Sequence, residues 1–206
     1  MKMKKMLSIR TFALAAFLFA FGLAGCGGGG GGGGGGYDPT ADKAAIREAI
    51  DRFVEGVQEY DVVKMTDRLS PTNFELTLRE GGGTPYTKDY ATLMSEVADP
   101  EEVPDQAYWR EHYGYELVLT LANVAVNPSS TGTGSAEADF VVEESATGIP
   151  AQVTDTGHIS WVFAKMNGAW LATAMEIAFA AGGSARALET DNPRFTNFFN
   201  ICRHRP

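Results

Sequence analysis

Apolar residues recur every three or four positions beyond residue 40, and charged residues fill most of the positions between them. Five apolar side chains share one face of a helix at this spacing: Ile46, Ile50, Phe53, Val57 and Tyr60. The pattern predicts a long amphipathic helix from Ala41 to Glu59. Asp61 is then expected to cap a second, shorter helix, which ends before Ser70-Pro71 because proline disfavours a helical residue in front of it.

The following segments alternate between strand-like and helix-like patterns. Residues 73–79 alternate apolar with polar side chains and predict a short strand. Residues 87–97 return to helical spacing and predict a helix, and 104–112 favour a further helical turn or two. Over residues 115–122 and 136–143 the apolar positions recur every second residue, which predicts strands with one solvent-exposed face.

The clearest local signal is a β-hairpin over the segment GHISWVFAKMNGAWLATAMEIAF. Asn167-Gly168 is a preferred pair for a two-residue type I′ turn, since both positions need positive φ. The pairing predicted from this turn is Met166 with Ala169, Ala164 with Leu171, Val162 with Thr173, Ser160 with Met175, and His158 with Ile177. Glu176 is expected beside Trp161 on the opposite face from His158. Both faces are largely apolar, so the hairpin is predicted to lie centrally with cover on each side.

The end of the chain, DNPRFTNFFNICRHRP, predicts a short helix with Asn192 as N-cap and Pro193 as its first residue. One apolar stripe on this helix comprises Phe195, Phe198, Phe199 and Cys202. Two interpretations remain open: a terminal helix docked on the sheet, or an exposed aromatic patch for a partner.

The N-terminal segment carries a targeting signal. Four basic residues precede an apolar run from Phe12 to Leu23, which is shorter than the roughly 20 residues that a membrane-spanning helix needs. Leu23-Ala24-Gly25-Cys26 resembles a bacterial lipobox. The resemblance implies that residues 1–25 are a cleaved signal peptide and that Cys26 becomes lipidated; an ordinary signal peptide is the alternative.

Ten glycines follow the cysteine and predict a flexible tether within residues 26–40. Such a coil spans about 18 Å, from about 5–6 Å times the square root of its length. The resemblance therefore implies a protein anchored in the cell envelope through lipid on Cys26. Gly27, in place of an aspartate after the cysteine, favours an outer-membrane anchor, facing the periplasm or the surface, if the host is Gram-negative.

Charge and cysteine content narrow the classes of partner. The chain has 17 basic and 26 acidic residues, and loss of the four basic residues of the signal leaves 13 basic against 26 acidic. A surface this acidic repels phosphate backbones, so nucleic acid is excluded as an expected partner. With Cys26 committed to lipid, Cys202 has no partner in the chain and is expected to be a free thiol; pairing with another molecule is the alternative.

The order of elements, the position of Asp61 and the segment FAKMNGAWL resemble the NTF2-like superfamily over residues 41–181. The resemblance implies an α+β fold in which N-terminal helices pack on a curved antiparallel sheet that forms a cone, with residues 182–206 as a C-terminal extension. A lipocalin-like barrel or a cystatin-like relative is the alternative. Some members of the superfamily are isomerases, dehydratases or cyclases with a pocket at the open end of the cone, whereas others bind ligands or dimerise.

Candidate chemistry is sparse. His158 and Glu176 are the low-ranking candidates for proton transfer, and Trp161, Phe163 and Met175 are candidates for lining a ligand pocket. The three histidines show no zinc-ligand spacing, so neither a metal nor a cofactor is expected, and Glu143-Glu144 is expected on a wet strand end. The favoured hypothesis is a non-catalytic domain that binds a small apolar ligand or an envelope protein; a pocket enzyme of the isomerase or dehydratase type, and a structural component that homodimerises, are the alternatives.

Overall fold

The computed structural model describes residues 37–81, 83–98, 106–181 and 197–203. Residues 1–36, which carry the predicted signal, Cys26 and the tether, lie outside this part of the chain. The helices described are α1 Thr40–Glu59, α2 Val62–Thr66, α3 Tyr90–Val97, α4 Gln106–Tyr113 and α5 Phe198–Arg203. The strands are β1 Glu75–Glu80, β2 Tyr86–Asp89, β3 Glu116–Pro128, β4 Thr133–Ala146, β5 Ile149–Met166 and β6 Ala169–Phe179.

The six strands form one open, curved sheet in the order β2-β1-β6-β5-β4-β3. Neighbouring strands are antiparallel except β1 and β6, which pair in parallel. The α+β prediction is therefore confirmed, and the sheet is predominantly rather than wholly antiparallel. Because β2 and β3 remain as edges, the alternative of a closed lipocalin-like barrel is wrong.

Helix α1 packs its apolar face on one side of the sheet, which we call the inner face. Ile46, Ile50, Phe53 and Val57 are all buried there, and the Phe53 ring meets the Trp161 ring edge-on at 6.4 Å between centroids. The predicted helix is confirmed, beginning one residue earlier than expected. A helix of 20 residues is about 30 Å long at about 1.5 Å per residue, so α1 runs most of the length of the domain.

The Asn167-Gly168 turn is confirmed, and so are the predicted pairs Met166–Ala169 and Ala164–Leu171. Beyond them, a bulge at Val162/Phe163 shifts the pairing by one residue. His158 lies opposite Ala178 instead of Ile177, and Ser160 lies opposite Glu176 instead of Met175. A turn sequence fixes pairing only as far as the first bulge.

The shift in register changes which side chains share a face. Met175 now lies beside Trp161 on the inner face, and Glu176 turns to the outer face, so its predicted position next to Trp161 is wrong. Val162 on the outer face is 49% exposed. Within the described chain the hairpin is central in the sheet but covered only on its inner side, contrary to the expectation of cover on both.

Two other boundaries differ from the sequence prediction. Residues 87–89 belong to strand β2, and α3 begins at Tyr90 because the Asp89 carboxylate accepts the Thr92 backbone N–H at 2.8 Å and caps the helix. Asp61 caps α2 as predicted, yet α2 ends at Thr66, well before Ser70-Pro71. The segment 104–112 does contain a helix, α4.

The C-terminal helix α5 is docked in the core. Asn192, Pro193 and Phe195 lie outside the described residues, and α5 begins at Phe198, where the Asn197 side chain accepts the Asn200 backbone N–H at 2.9 Å. Phe198 and Phe199 are almost fully buried, so the docked interpretation is confirmed over the exposed patch. No helix in the described chain is both long enough and apolar enough to cross a bilayer.

Gly157 allows β5 and β6 to approach closely, and replacing it tests this packing. A Cβ at Gly157 would lie 2.1 Å from the Ala178 carbonyl oxygen, so we expect Gly157→Ala to lower the free energy of unfolding by about 3 kcal/mol, measured by urea denaturation. Gly168→Ala is the control: its Cβ would meet nothing within 4 Å, although φ is +85°, and we expect a loss of about 1 kcal/mol. Equal losses in the two variants would contradict the close approach.

Candidate functional site

The two residues predicted for proton transfer both lie on the outer face of the sheet and do not share a cavity. The His158 imidazole is half-exposed, with Nδ1 3.2 Å from Asp139 Oδ1 and Nε2 3.9 Å from Glu137 Oε2. Glu176 accepts a hydrogen bond of 2.9 Å from Arg79 Nε. Each side chain is therefore bound to a different partner in contact with water.

The residues predicted to line a ligand pocket lie in the core. Trp161, Phe163 and Met175 are each at most 3% exposed. Together with side chains of α1 and α2 they border a cavity of about 10 Å³. That volume admits about one water molecule at most, so the inner face of the sheet is filled by the protein's own side chains at this point.

A buried polar cluster occupies the inner face near the end of β4 and the beginning of β5. The Tyr115 hydroxyl donates to Glu144 Oε1 at 2.5 Å, and Asn197 Nδ2 donates to the same oxygen at 2.7 Å. Arg203 Nη2 donates to Asp155 Oδ1 at 2.5 Å. Glu144 and Asp155 are 1% and 2% exposed. We call Glu144, Asp155 and their three partners the buried acid site.

Two different features of the backbone place these carboxylates on the inner face. Glu144 continues the alternation of buried residues along β4, two positions after Val142. Asp155 lies opposite Val142, and a bulge then leaves Thr154 as an extra residue in β5, since Glu143 already pairs with Val153. Thr154 and Asp155 are consequently buried in succession, which regular alternation would not allow.

Burial dominates the electrostatics of the site. The loss of water raises the pKa of the Asp155 carboxyl to about 6, although the Arg203 guanidinium opposes the rise. The Glu144 and Glu80 carboxylates add to the increase. Burial, reinforced by Glu144, also raises the pKa of the Tyr115 hydroxyl, which therefore acts as a donor.

Aromatic side chains enclose the site. The Arg203 guanidinium carbon lies 3.7 Å from the centroid of the Phe179 ring, a cation–π contact. The Phe199 ring stacks on Phe140 at 5.2 Å between centroids. Cys202, on the same helix, is a free thiol that is fully buried, and burial raises its pKa; it is therefore an unreactive thiol, as expected for a plain core cysteine.

A surface depression of about 340 Å³ borders the site from the solvent side. It lies between the end of α1, α4 and the start of β3, and is lined by Gln58, Arg110 and residues 114–118. Arg110 donates to the Gln58 carbonyl oxygen, and the Gln58 side-chain oxygen accepts the Leu119 backbone N–H at 3.1 Å. Tyr115 both lines the depression and binds Glu144, so this one ring separates the depression from the buried acid.

The sequence prediction missed this cluster in two ways. Glu144 was expected on a wet strand end together with Glu143, and that prediction is wrong for Glu144. The signal was present, because Ala136, Ala138, Phe140 and Val142 define the buried phase of β4 and Glu144 continues it. Asp155 gave no comparable signal, since its burial depends on a bulge. Among the described residues, no three His, Cys, Asp or Glu side chains are grouped so as to hold a metal ion.

Solved structures share this arrangement of helices and sheet. An NTF2-like protein with a cystatin-like fold from Novosphingobium aromaticivorans matches with a TM-score of 0.52 and 18% identity, covering 73% of this chain and 90% of its own. An NTF2-like superfamily protein from Salmonella enterica serovar Typhimurium matches with a TM-score of 0.51 and 17% identity, covering 70% and 94%.

A third match is ActVI-ORFA from Streptomyces coelicolor, with a TM-score of 0.52 and 10% identity over 68% of this chain and 98% of its own. No family model and no curated protein sequence matches the chain. The domain thus has the NTF2-like, cystatin-like fold. At such identities the likeness establishes the fold and not an activity.

The raised pKa of Asp155 predicts a specific dependence of stability on pH. A carboxyl whose pKa is raised to about 6 in the fold stabilises the fold fully below about pH 4, the ordinary range of Asp. That contribution is lost as the pH rises through 6. We expect this loss to lower the free energy of unfolding by on the order of 2 kcal/mol between pH 4 and 7, measured by urea denaturation.

Asp155→Asn should remove this decline. Asp42→Asn is the matched control, because hydrogen bonds from Lys165, Trp170 and Tyr37 lower the pKa of Asp42 to about 2, so this carboxyl stays ionised throughout the range. The control should keep the wild-type decline. If the free energy of unfolding of Asp155→Asn still declines between pH 4 and 7, the decline does not come from the Asp155 carboxyl.

Proposed function

We propose that this protein is a lipid-anchored component of the cell envelope whose NTF2-like domain acts by binding a partner protein and not by catalysis. The single observation that carries the binding role is the filled interior of the cone. The predicted pocket residues border only about 10 Å³, and helix α5 packs four buried side chains into the same core. A small apolar ligand has little room there, so a protein partner on the surface is favoured over it.

Support for the anchor comes from the sequence of residues 23–36. A lipobox-like tetrapeptide ending in Cys26 and ten glycines provide an attachment point and a flexible connection. Two or three acyl chains hold a protein firmly at a membrane, at about 0.8 kcal/mol for each buried CH₂ group, whereas one holds it only marginally.

The first described residue of the domain and the depression lie at opposite ends of α1. Tyr37 lies just before α1, and its hydroxyl donates to Asp42 at 2.9 Å. The same carboxylate accepts hydrogen bonds from Lys165 and Trp170 of the β5–β6 hairpin. The depression beside Gln58 lies at the other end of α1, about 30 Å away by the rise of the helix. It is therefore about one helix length away from Tyr37, the first described residue.

The outer face of the sheet gives less support to a structural homodimer. Val118 and Val162 are exposed there, but the cross-strand neighbour of Val118 is Glu143, and the β4 neighbour of Val162 is Ser135. Val162 also pairs with Ala174, and Ala164 with Leu171, so the described outer face carries a small apolar strip along the hairpin among polar residues, whereas stable homodimer interfaces are richer in apolar area.

A pocket enzyme is the second candidate, and one observation favours it. Tyr115, Glu144 and Asp155 converge inside the cone, and buried ionisable groups of this kind are characteristic of catalytic sites. However, each carboxylate is already bound to donors of the same chain. Binding without catalysis therefore remains the favoured function.

The anchor is tested by the intact mass of the protein extracted from membranes of the native host. We expect a chain that begins at Cys26 and carries a diacylglycerol, with or without an additional acyl group on the new amino terminus. Cys26→Ser should abolish the added mass and release the protein from the membrane fraction, whereas Cys202→Ser, a control at the buried cysteine, should leave both unchanged. An unacylated native chain that still carries Met1 would refute the anchor.

The filled interior is tested by native mass spectrometry of the full chain carrying Cys26→Ser. We expect the mass of the protein alone, since the cavity beside the predicted pocket residues admits about one water molecule at most. Unfolding the same sample in acid and comparing masses provides the internal control. A stoichiometric additional mass of a few hundred daltons that is lost on unfolding would overturn the preference for a protein partner and support the small-ligand alternative.

A further inference from the structure

Helix α5 relates to the rest of the domain as a bound peptide relates to its receptor. It has only six residues, and isolated helices shorter than about 12–15 residues are marginal in water because nucleation is unfavourable. Its order must therefore come from the surface that it occupies. Four of its six side chains are buried almost completely in that surface: Phe198, Phe199, Ile201 and Cys202.

The apolar half of the contact is aromatic on both sides. Phe198 meets Phe53 of α1 edge-on at 5.4 Å between ring centroids. Phe199 stacks on Phe140 of β4 and meets Phe179 of β6 edge-on at 6.2 Å. Two adjacent aromatic residues of α5 are thus received by three aromatic residues from three different elements.

The polar half of the contact is a pair of carboxylates matched by two donors. Asn197 Nδ2 binds Glu144 at 2.7 Å and Arg203 Nη2 binds Asp155 at 2.5 Å. These donors flank α5 at its two ends. A carboxylate buried without a donor is costly, so the inner face of the sheet requires a segment that supplies an amide, two aromatic rings and a guanidinium in this order.

The match between α5 and its surface is incomplete, as it is for a ligand that can leave. Arg203 Nη1 is buried without a hydrogen-bond partner among the described residues, whereas the polar groups of a permanent core are nearly always satisfied. Eighteen residues, 180–197, separate β6 from α5 in the sequence, which is ample chain for the segment to leave the site while it remains attached.

We propose that the buried acid site and its aromatic walls are a peptide-binding site, that Asn197–Arg203 is its resident ligand, and that the same segment of a second copy of this chain can take its place. The ligand class is a peptide with two adjacent aromatic residues and an arginine four positions later. The inference goes beyond the proposed surface binding, and its test uses neither the lipid anchor nor an external partner.

The test measures the binding of a fluorescent peptide with the sequence of residues 195–206, FTNFFNICRHRP, to the full chain by anisotropy. In the wild type the attached segment competes at an effective concentration in the millimolar range, so added peptide binds weakly. Arg203→Ala in the chain weakens the resident segment, and we expect this variant to bind the wild-type peptide at least tenfold more tightly than the wild-type chain does.

Two controls assign the effect to the site. Arg79→Ala removes an arginine that is paired with Glu176 on the outer face. This variant should bind the peptide with the same affinity as the wild-type chain. A peptide with the Arg203→Ala change should lose the affinity of the normal peptide for the Arg203→Ala chain. Equal affinities of the wild-type, Arg79→Ala and Arg203→Ala chains would overturn the proposal.

Hydrogen exchange on the unaltered wild-type chain gives an independent test if Arg203→Ala impairs folding. The Asn200 and Ile201 amides are bonded only within the segment, to Asn197. We expect them to exchange at least tenfold faster than the slowest amides of β5, through local opening that is insensitive to denaturant. Exchange of these amides only by global unfolding would show that α5 is a permanent part of the core and would overturn the proposal.

Discussion

Two carboxylates buried on the inner face of the sheet constrain everything that packs around them. Glu144 and Asp155 have lost their water, so each requires a donor at hydrogen-bond distance. The donors come from β3, through Tyr115, and from the last described segment of the chain, through Asn197 and Arg203. The requirement links residues far apart in sequence and explains why a six-residue helix is held in the core of a 206-residue chain.

The inner face of this sheet is covered in part by the last described helix of the chain itself. A curved sheet with a long helix across it leaves a space at one end, and proteins of unlike activity share that outline. Here the space is filled from within: aromatic rings of α5 occupy it, and the acids that could have met a substrate are matched by the chain itself. The surface that remains concave is the depression at the end of α1, where Tyr115 is the boundary between solvent and the buried acids.

Local patterns predicted the frame of the domain well, because they depend on neighbouring residues. Ile46 to Val57 determined α1, and Asn167-Gly168 determined the central hairpin. The buried acid site was out of reach for physical reasons: a bulge changes the face on which Asp155 lies, and another bulge places Glu176 on the outer face. Bulges are stabilised by tertiary packing that no local period encodes. Glu144 was predictable from the phase of β4, but its charge argued for the opposite face.

The Asp42 carboxylate has a mechanical consequence for any force applied to the domain at Tyr37. Tension along residues before Tyr37 enters the domain at the first turn of α1, and there Asp42 is bonded to Tyr37, Lys165 and Trp170. These bonds couple the helix to the tip of the β5–β6 hairpin. A pull is consequently divided between two elements, and strands in the middle of the sheet share the load before the helix can be peeled from it.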